Sequence, residues 1–348
     1  MARHARQLIL LALFMVALPA FGIVIPACDT LSSQPTGQDC ITADYTAGGT
    51  VYDNLNSGVN LDGVVYVQIG YVSCSGVLIS PTQVLTAAHC FWGGSGLATV
   101  SFQQSNGPLD PITGTWVDDP DYPNAQGPDQ AWLSGADLAI VTLTSPAPSW
   151  APVYPLYTGT IPYGSALTVA GFGDNGTGDT GANTTNGTSA GGTRRAGQNS
   201  YDTVASSSKA FGAGFPSDVL MADFDDGYSA NNAFGLTGTD SLGFTDEVDV
   251  APGDSGGPSF YNGMIVGIHD IVGCSPTYTM DPNGCVDTDT SFYGEVFGDT
   301  NVNGVDASGN SNLAWIDAQI VEATPEPSSW LLCIAAVPAL AFLRRKRS

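Results

Sequence analysis

Apolar and polar residues alternate in short runs along most of this chain, and glycine and proline break the runs before a helical period can establish itself. From Val64 to Ile79 the alternation passes through Val65, Val67 and Ile69, then Val77 and Ile79, the period-two pattern of strands with one buried face. Val84 to Ala88 reads as another strand, and so does the run that Asp137 opens, through Leu138-Ala139-Ile140-Val141-Thr142-Leu143. Pro146 to Pro155 is rich in proline, which fixes φ and lacks an N–H, so this stretch predicts a crossover between two β units. A strand is expected again at Ala166–Phe172. Residues 173–193, almost all Gly, Asn, Thr and Asp, predict a surface loop, and Asp223-Phe224-Asp225-Asp226-Gly227 a solvated acidic turn whose spacing does not fit a twelve-residue calcium loop.

The composition agrees with many short strands. Of 348 residues, 43 are glycine and 22 proline, while charged residues make up only 12%. A chain of this length suits a single two-unit β protein.

Both ends depart from the body. Residues 1–27 combine Arg3 and Arg6, an apolar core from Leu8 to Val16 that extends to Ile25, and small residues near Ala20 and Ala27, the pattern of a signal peptide. A membrane anchor and a lipoprotein box at Ile25-Pro26-Ala27-Cys28 are the alternatives. Residues 28–45 are expected to be a propeptide or an arm stapled by Cys28 and Cys40. Seven cysteines behind an export signal suggest an oxidising compartment. Cys274 and Cys285 are expected to pair and close a further loop.

Charge narrows the partners. Six of the nine basic residues (Arg3, Arg6, Arg344, Arg345, Lys346, Arg347) lie in the two ends, leaving Arg194, Arg195 and Lys209 against nearly all of the 33 acids. A body this negative repels nucleic acid and anionic membrane surfaces, so membrane contact is expected only through the terminal segments.

The chemistry centres on Gly253-Asp254-Ser255-Gly256-Gly257-Pro258. Flanking glycines permit backbone conformations closed to other residues and leave the Ser255 hydroxyl uncovered. A serine hydroxyl is a poor nucleophile without a base, and the base needs a third group to orient it. There are three histidines. His4 lies in the basic leader and His269 follows an apolar strand, which leaves His89 in Leu85-Thr86-Ala87-Ala88-His89-Cys90. Asp137, at the head of a β run, is the best candidate for the orienting carboxylate.

In these motifs, in the order His, Asp, Ser, the sequence resembles the trypsin-like (chymotrypsin-fold) serine peptidases over roughly residues 46–322. Gly171-Phe172-Gly173 and Leu313-Ala314-Trp315-Ile316 add weaker similarity. The resemblance implies an all-β fold of two Greek-key six-stranded β-barrels, about 46–150 and 160–308, with the active site between them and a short C-terminal helix at about 311–322. It implies a Cys74–Cys90 disulfide, an oxyanion hole from the N–H groups of Gly253 and Ser255, and Asp249 at the bottom of the specificity pocket with Asp270 and Val272 on its wall. Asp249 there would favour Arg or Lys before the scissile bond; a surface aspartate is the other reading. Substrates would be proteins or peptides and the protein a monomer, with no metal or organic cofactor. Two features depart from the family: no Ile/Val-Gly-Gly start near Thr46-Ala47-Gly48-Gly49, and Ala251 where a cysteine is usual. A catalytically silent surface-binding member of the family is the alternative function.

Residues 323–348 resemble a PEP-CTERM sorting tail: Pro325-Glu326-Pro327, an apolar segment at 330–343, then Arg344-Arg345-Lys346-Arg347. That resemblance implies an exosortase as processing partner and transient inner-membrane anchoring of a secreted or cell-surface protein. A plain tail anchor is the other reading.

Overall fold

The alternating runs of the first half close into a barrel. The computed structural model describes residues 59–92, 96–104, 108–122, 134–173, 176–177, 181–182, 194–205, 219–224, 234, 248–250, 252–274 and 295–320. Strands β1 (Val64–Ile69), β2 (Val72–Ser80), β3 (Gln83–Thr86), β4 (Ala98–Phe102), β5 (Asp110–Asp118) and β6 (Ala139–Leu143) form a closed barrel in the order β1-β2-β3-β6-β5-β4. All neighbours are antiparallel, and β1 meets β4 to complete the circle. Val64, Val67, Val84, Val100 and Ile140 are fully buried within it. β2 is buried along nearly all its length because it also meets the second unit: Ser75 Oγ donates to Gly253 O at 2.7 Å.

The crossover follows β6 as expected. Tyr154 N donates to Leu78 O at 3.0 Å on the first barrel, and Tyr157 N to Ile265 O at 2.8 Å on the second sheet.

The second unit contains β7 (Leu167–Gly171), β10 (Arg195–Asn199), β11 (Thr203–Val204), β12 (Val219–Phe224), β13 (Pro258–Tyr261), β14 (Met264–Cys274) and β15 (Glu295–Asn301). They pair in the order β10-β7-β13-β14-β15-β12-β11, a seven-stranded sheet rather than the six expected. The seventh, β11, arises because the chain turns back after Tyr201, and Asp202 N donates to Met221 O at 2.9 Å. A separate hairpin of β8 (Gly176–Thr177) and β9 (Gly181–Ala182) stands within the stretch expected to be plain loop. The acidic turn at 223–227 also begins differently: Asp223 and Phe224 end β12 and are fully buried.

One hydrophobic core runs through both units, from Val59 to Ile316. Arg194 fastens them further. Its guanidinium is wholly buried, donating to Asp62 Oδ1 at 2.7 Å and to Gln103 O at 2.8 Å. Helix α1 (Asn312–Gln319) is shorter than expected, starting where the Ser311 hydroxyl accepts from Ala314 N at 3.3 Å. Its last carbonyl, Gln319 O, accepts from Gln83 Nε2 of the first barrel.

Among the described residues no helix is long and apolar enough to cross a membrane. Residues 1–27, Cys28, Cys40, Cys285, the Pro325-Glu326-Pro327 motif and the apolar segment 330–343 lie outside the described residues.

Candidate active site

β3 pairs with β6 so that Thr86 faces Ala139, and this register carries the residues just past Thr86 alongside those just before Ala139. The strand expected to reach Ala88 therefore stops at Thr86, and Ala88–Phe91 form a single 3-10 turn. Two fastenings shape that turn. The Cys74–Cys90 disulfide is present, and the Asp137 carboxylate grips His89 twice, accepting from its backbone N at 2.7 Å and bonding its Nδ1 at 2.6 Å. With Nδ1 turned to Asp137, Nε2 is the nitrogen left for another partner.

The electrostatics are one-sided. Asp137 is fully buried, while the His89 side chain remains 25% exposed. Burial works against charge on His89, but the charge and hydrogen bond of Asp137 outweigh it and hold the imidazole above its ordinary 6.5. Asp137 is held below the ordinary carboxylate range: burial opposes this, and the His89 charge, its hydrogen bonds and a bond from Asp270 prevail.

Ser255 sits half-buried in a loop locked to both units. Gly253 and Gly256 take φ of 98° and 82°. A Cβ on Gly256 would lie 2.1 Å from Thr86 Oγ1, so glycine is required there for space as well as conformation. Ser75 N donates to Ser255 O at 2.8 Å, and Ser75 Oγ links Gly253 O to Phe172 N. On the other side, Gly256 N donates to His269 O and His269 N to Gly257 O, each at 2.8 Å. The N–H of Gly256 is thus engaged by β14, and that of Gly257 donates to Asp254 O at 2.7 Å within the loop; those of Gly253 and Ser255 have no acceptor among the described residues.

Gly171-Phe172-Gly173 has a physical reason as well. Gly173 N donates to Asp254 Oδ1 at 2.8 Å, and a Cβ on Gly171 or Gly173 would lie 2.0 or 2.2 Å from an Asp254 carboxylate oxygen. The two glycines cradle the acid beside Ser255.

The residues assigned to a specificity pocket differ in their surroundings. Asp249 is fully buried, with Oδ1 accepting from Val250 N at 2.7 Å, so it is not a surface aspartate. Val272 is half-buried on β14. Asp270, two residues before it, turns to the histidine: a ligand atom from each of His89, Asp137 and Asp270 lies within 4.8 Å of the other two. Thr300 Oγ1 donates to Asp270 Oδ2 at 3.1 Å, while Asp270 Oδ1 is buried with no partner that a carboxylate could accept from. Burial and then the charge of Asp137 push Asp270 well above the ordinary carboxylate range. The Cys274–Cys285 pairing lies outside the described residues.

Sequence reasoning missed two supports. Ser75 has as its only sequence signal its neighbour Cys74, which the resemblance ties to the histidine turn. His269 was set aside as following a strand; it lies inside β14, with Nδ1 bonded to Asp299 at 2.8 Å. No local pattern signals that contact, since Asp299 is on another strand.

A family model described as Trypsin matches residues 58–288. The trypsin of Saccharopolyspora erythraea is 27% identical over 209 residues, covering 57% of this chain and 75% of that protein. Among solved structures, mouse neuropsin, a serine protease expressed in the limbic system of the brain, superposes with a TM-score of 0.50 at 17% identity, over 74% of this chain and 94% of neuropsin, a likeness of fold. With the family model spanning well over half of its length, the chain belongs to the trypsin family and is a trypsin-like serine endopeptidase, a hydrolase of protein or peptide substrates.

Proposed function

We propose that His89, Asp137 and Ser255 form the catalytic triad of an exported endopeptidase. The observation that carries this reading is the double grip of buried Asp137 on a partly exposed His89, whose neighbour Cys90 has its Sγ 3.8 Å from Ser255 O in the glycine loop. His89 Nε2 takes the proton of Ser255 as its Oγ attacks the peptide carbonyl, and returns it to the leaving amine; water then repeats the sequence on the acyl-enzyme. Asp137 holds the tautomer and stabilises the imidazolium. The N–H groups of Gly253 and Ser255 receive the oxyanion, worth about 3–4 kcal/mol per donor. Asp270 acts as a positioning residue whose carboxyl retains its proton and donates it in a hydrogen bond to Asp137. Ser255→Ala is expected to abolish covalent labelling by a fluorophosphonate probe; undiminished labelling would sink the assignment, and absence of labelling in the wild type would favour a silent binding protein.

Asp249, a buried carboxylate that the family resemblance puts at the bottom of the pocket, supports a preference for the complementary charge of Arg or Lys before the scissile bond. Cleavage of a peptide library after small or aromatic residues, unchanged in Asp249→Ser, would refute it.

The domain reading places the signal peptide at 1–27, the propeptide or arm at 28–45, the peptidase at 46–322 and the sorting tail at 323–348. The tail's order of motif, apolar segment and basic end supports exosortase cleavage near Pro325-Glu326-Pro327 of an exported, monomeric protein. A mass spectrum of the exported protein from a host with an exosortase should lack Arg344–Ser348, and their retention would leave a plain anchor.

A further inference from the structure

Three carboxylates meet where the first barrel touches the approach to α1. Asp119 and Asp121 follow β5, and Asp306 lies between β15 and α1. One ligand atom from each lies within 4.8 Å of the other two, although Asp119 is only 2% and Asp306 only 5% exposed. Protein donors satisfy part of this charge. Asp121 N donates to Asp119 Oδ1 at 2.9 Å, Ser308 N and Asn310 N to Asp306 Oδ1 at 2.8 and 2.9 Å, and Asn310 Nδ2 to Asp121 Oδ2 at 2.7 Å. Asp306 Oδ2 is buried with no donor to accept from among the described residues; the group that approaches its carboxylate there is another acid, Asp121.

Gathering three acids at a buried point is unfavourable without a positive charge. None of the described residues supplies one. The ion pairs His89–Asp137, Arg194–Asp62 and His269–Asp299 do not reach this cluster.

We propose that Asp119, Asp121 and Asp306 bind a divalent calcium ion. An all-oxygen donor set selects hard cations over zinc or copper. Calcium, with bonds of about 2.3–2.6 Å and flexible coordination, accommodates oxygens up to this far apart, whereas magnesium requires a tighter octahedron with bonds of about 2.0–2.1 Å. The ion fastens two segments that already flank the stretch carrying Asp137. Asp119 N donates to Leu138 O at 2.8 Å, and Ala307 N to Ser134 O at 2.7 Å. The site itself stands independently of the triad assignment.

The test uses the purified exported protein, stripped with EGTA and titrated with calcium chloride by calorimetry and thermal melting. One ion per chain is expected, with a Tm rise of about 5 °C or more at saturating calcium and a smaller rise with magnesium at the same concentration. Asp306→Asn and, at a half-buried position, Asp121→Asn should each weaken calcium binding at least about tenfold, while the calcium-free Tm does not fall, because each substitution relieves like-charge repulsion. Ser255→Ala should respond to calcium like the wild type, so failure of the catalytic reading and failure of this site remain distinguishable. No calcium heat and no Tm shift in the wild type, or undiminished affinity in both carboxamide variants, would overturn the proposal; an equal response to magnesium would overturn the choice of calcium.

Discussion

His89, Asp137 and Ser255 at the junction of the two units, and His269, Asp299 and Ser259 inside the second sheet, are the same three residue types in different surroundings. In the first set the histidine side chain is 25% exposed, and its carboxylate partner is occupied chiefly with it. In the second set all three residues are fully buried, and Ser259 Oγ donates straight to Asp299 Oδ2 at 2.6 Å rather than to the imidazole. Tyr201 donates its hydroxyl to the same carboxylate oxygen, and burial together with the Asp299 charge pushes the phenol well above its ordinary range. Asp299 thus gathers a hydroxyl, a phenol and an imidazole, which satisfies a buried charge and locks β13, β14 and β15 together. Chemistry requires a serine whose hydroxyl is not committed to an acceptor and a histidine that substrate can reach; the second set has neither. Its backbone contribution still reaches the first, because His269 O and N hold Gly256 and Gly257 around Ser255.

One substitution in each set tells the two roles apart. His89→Ala should lower turnover at least about 10⁴-fold and leave the thermal midpoint within a few degrees of the wild type. Asp299→Asn should do the opposite, costing about 3 kcal/mol of stability by leaving buried donors mismatched, while the folded fraction keeps turnover within about tenfold. Denaturant melts read beside active-site titration separate the two, and a stability loss in His89→Ala as large as that in Asp299→Asn would erase the distinction.

A smaller effect is expected at Asp270. The folded chain holds on Asp270 a proton that the unfolded chain releases above about pH 4, so this group makes folding less favourable as pH rises from there toward its raised folded value. Asp270→Asn keeps a donor for Asp137 and an acceptor for Thr300 but has no proton to lose. It should therefore remove that negative slope of stability against pH and be at least as stable as the wild type at pH 8. Its kcat/KM should stay within about tenfold, and the acid limb, set by His89, should remain above pH 6.5. Asp270→Leu, with no donor, should lose more turnover than Asp270→Asn; equal losses would mean that Asp270 only fills space.

Much of this protein was legible in the chain itself. The period-two alternation from Val64 to Ile79 predicted β1 and β2, and short apolar runs bounded by turn residues predicted β3, β6 and β7, which are buried at nearly every position. The Ser255 loop was legible because its glycines answer a local need, left-handed backbone at Gly253 and Gly256. Asp137 stood out by opening an apolar run. Even Gly171-Phe172-Gly173 was visible as a motif, although its reason, the cradle for Asp254, was not.

What tertiary structure alone decided are the meetings between residues far apart in the chain. Ser75 reaches Gly253, Asp270 reaches Asp137, and Asp306 reaches Asp119 across intervals that carry no local periodicity. Asp249 and Asp223 stand in sequence among many other acids, and only the packing of the second sheet buries them. Alternation and turn chemistry act over a few residues, and a single chain displays them directly. Whether an acid ends beside a histidine, another acid or water depends on strand register and on how the two units close upon each other, which no short window of sequence contains.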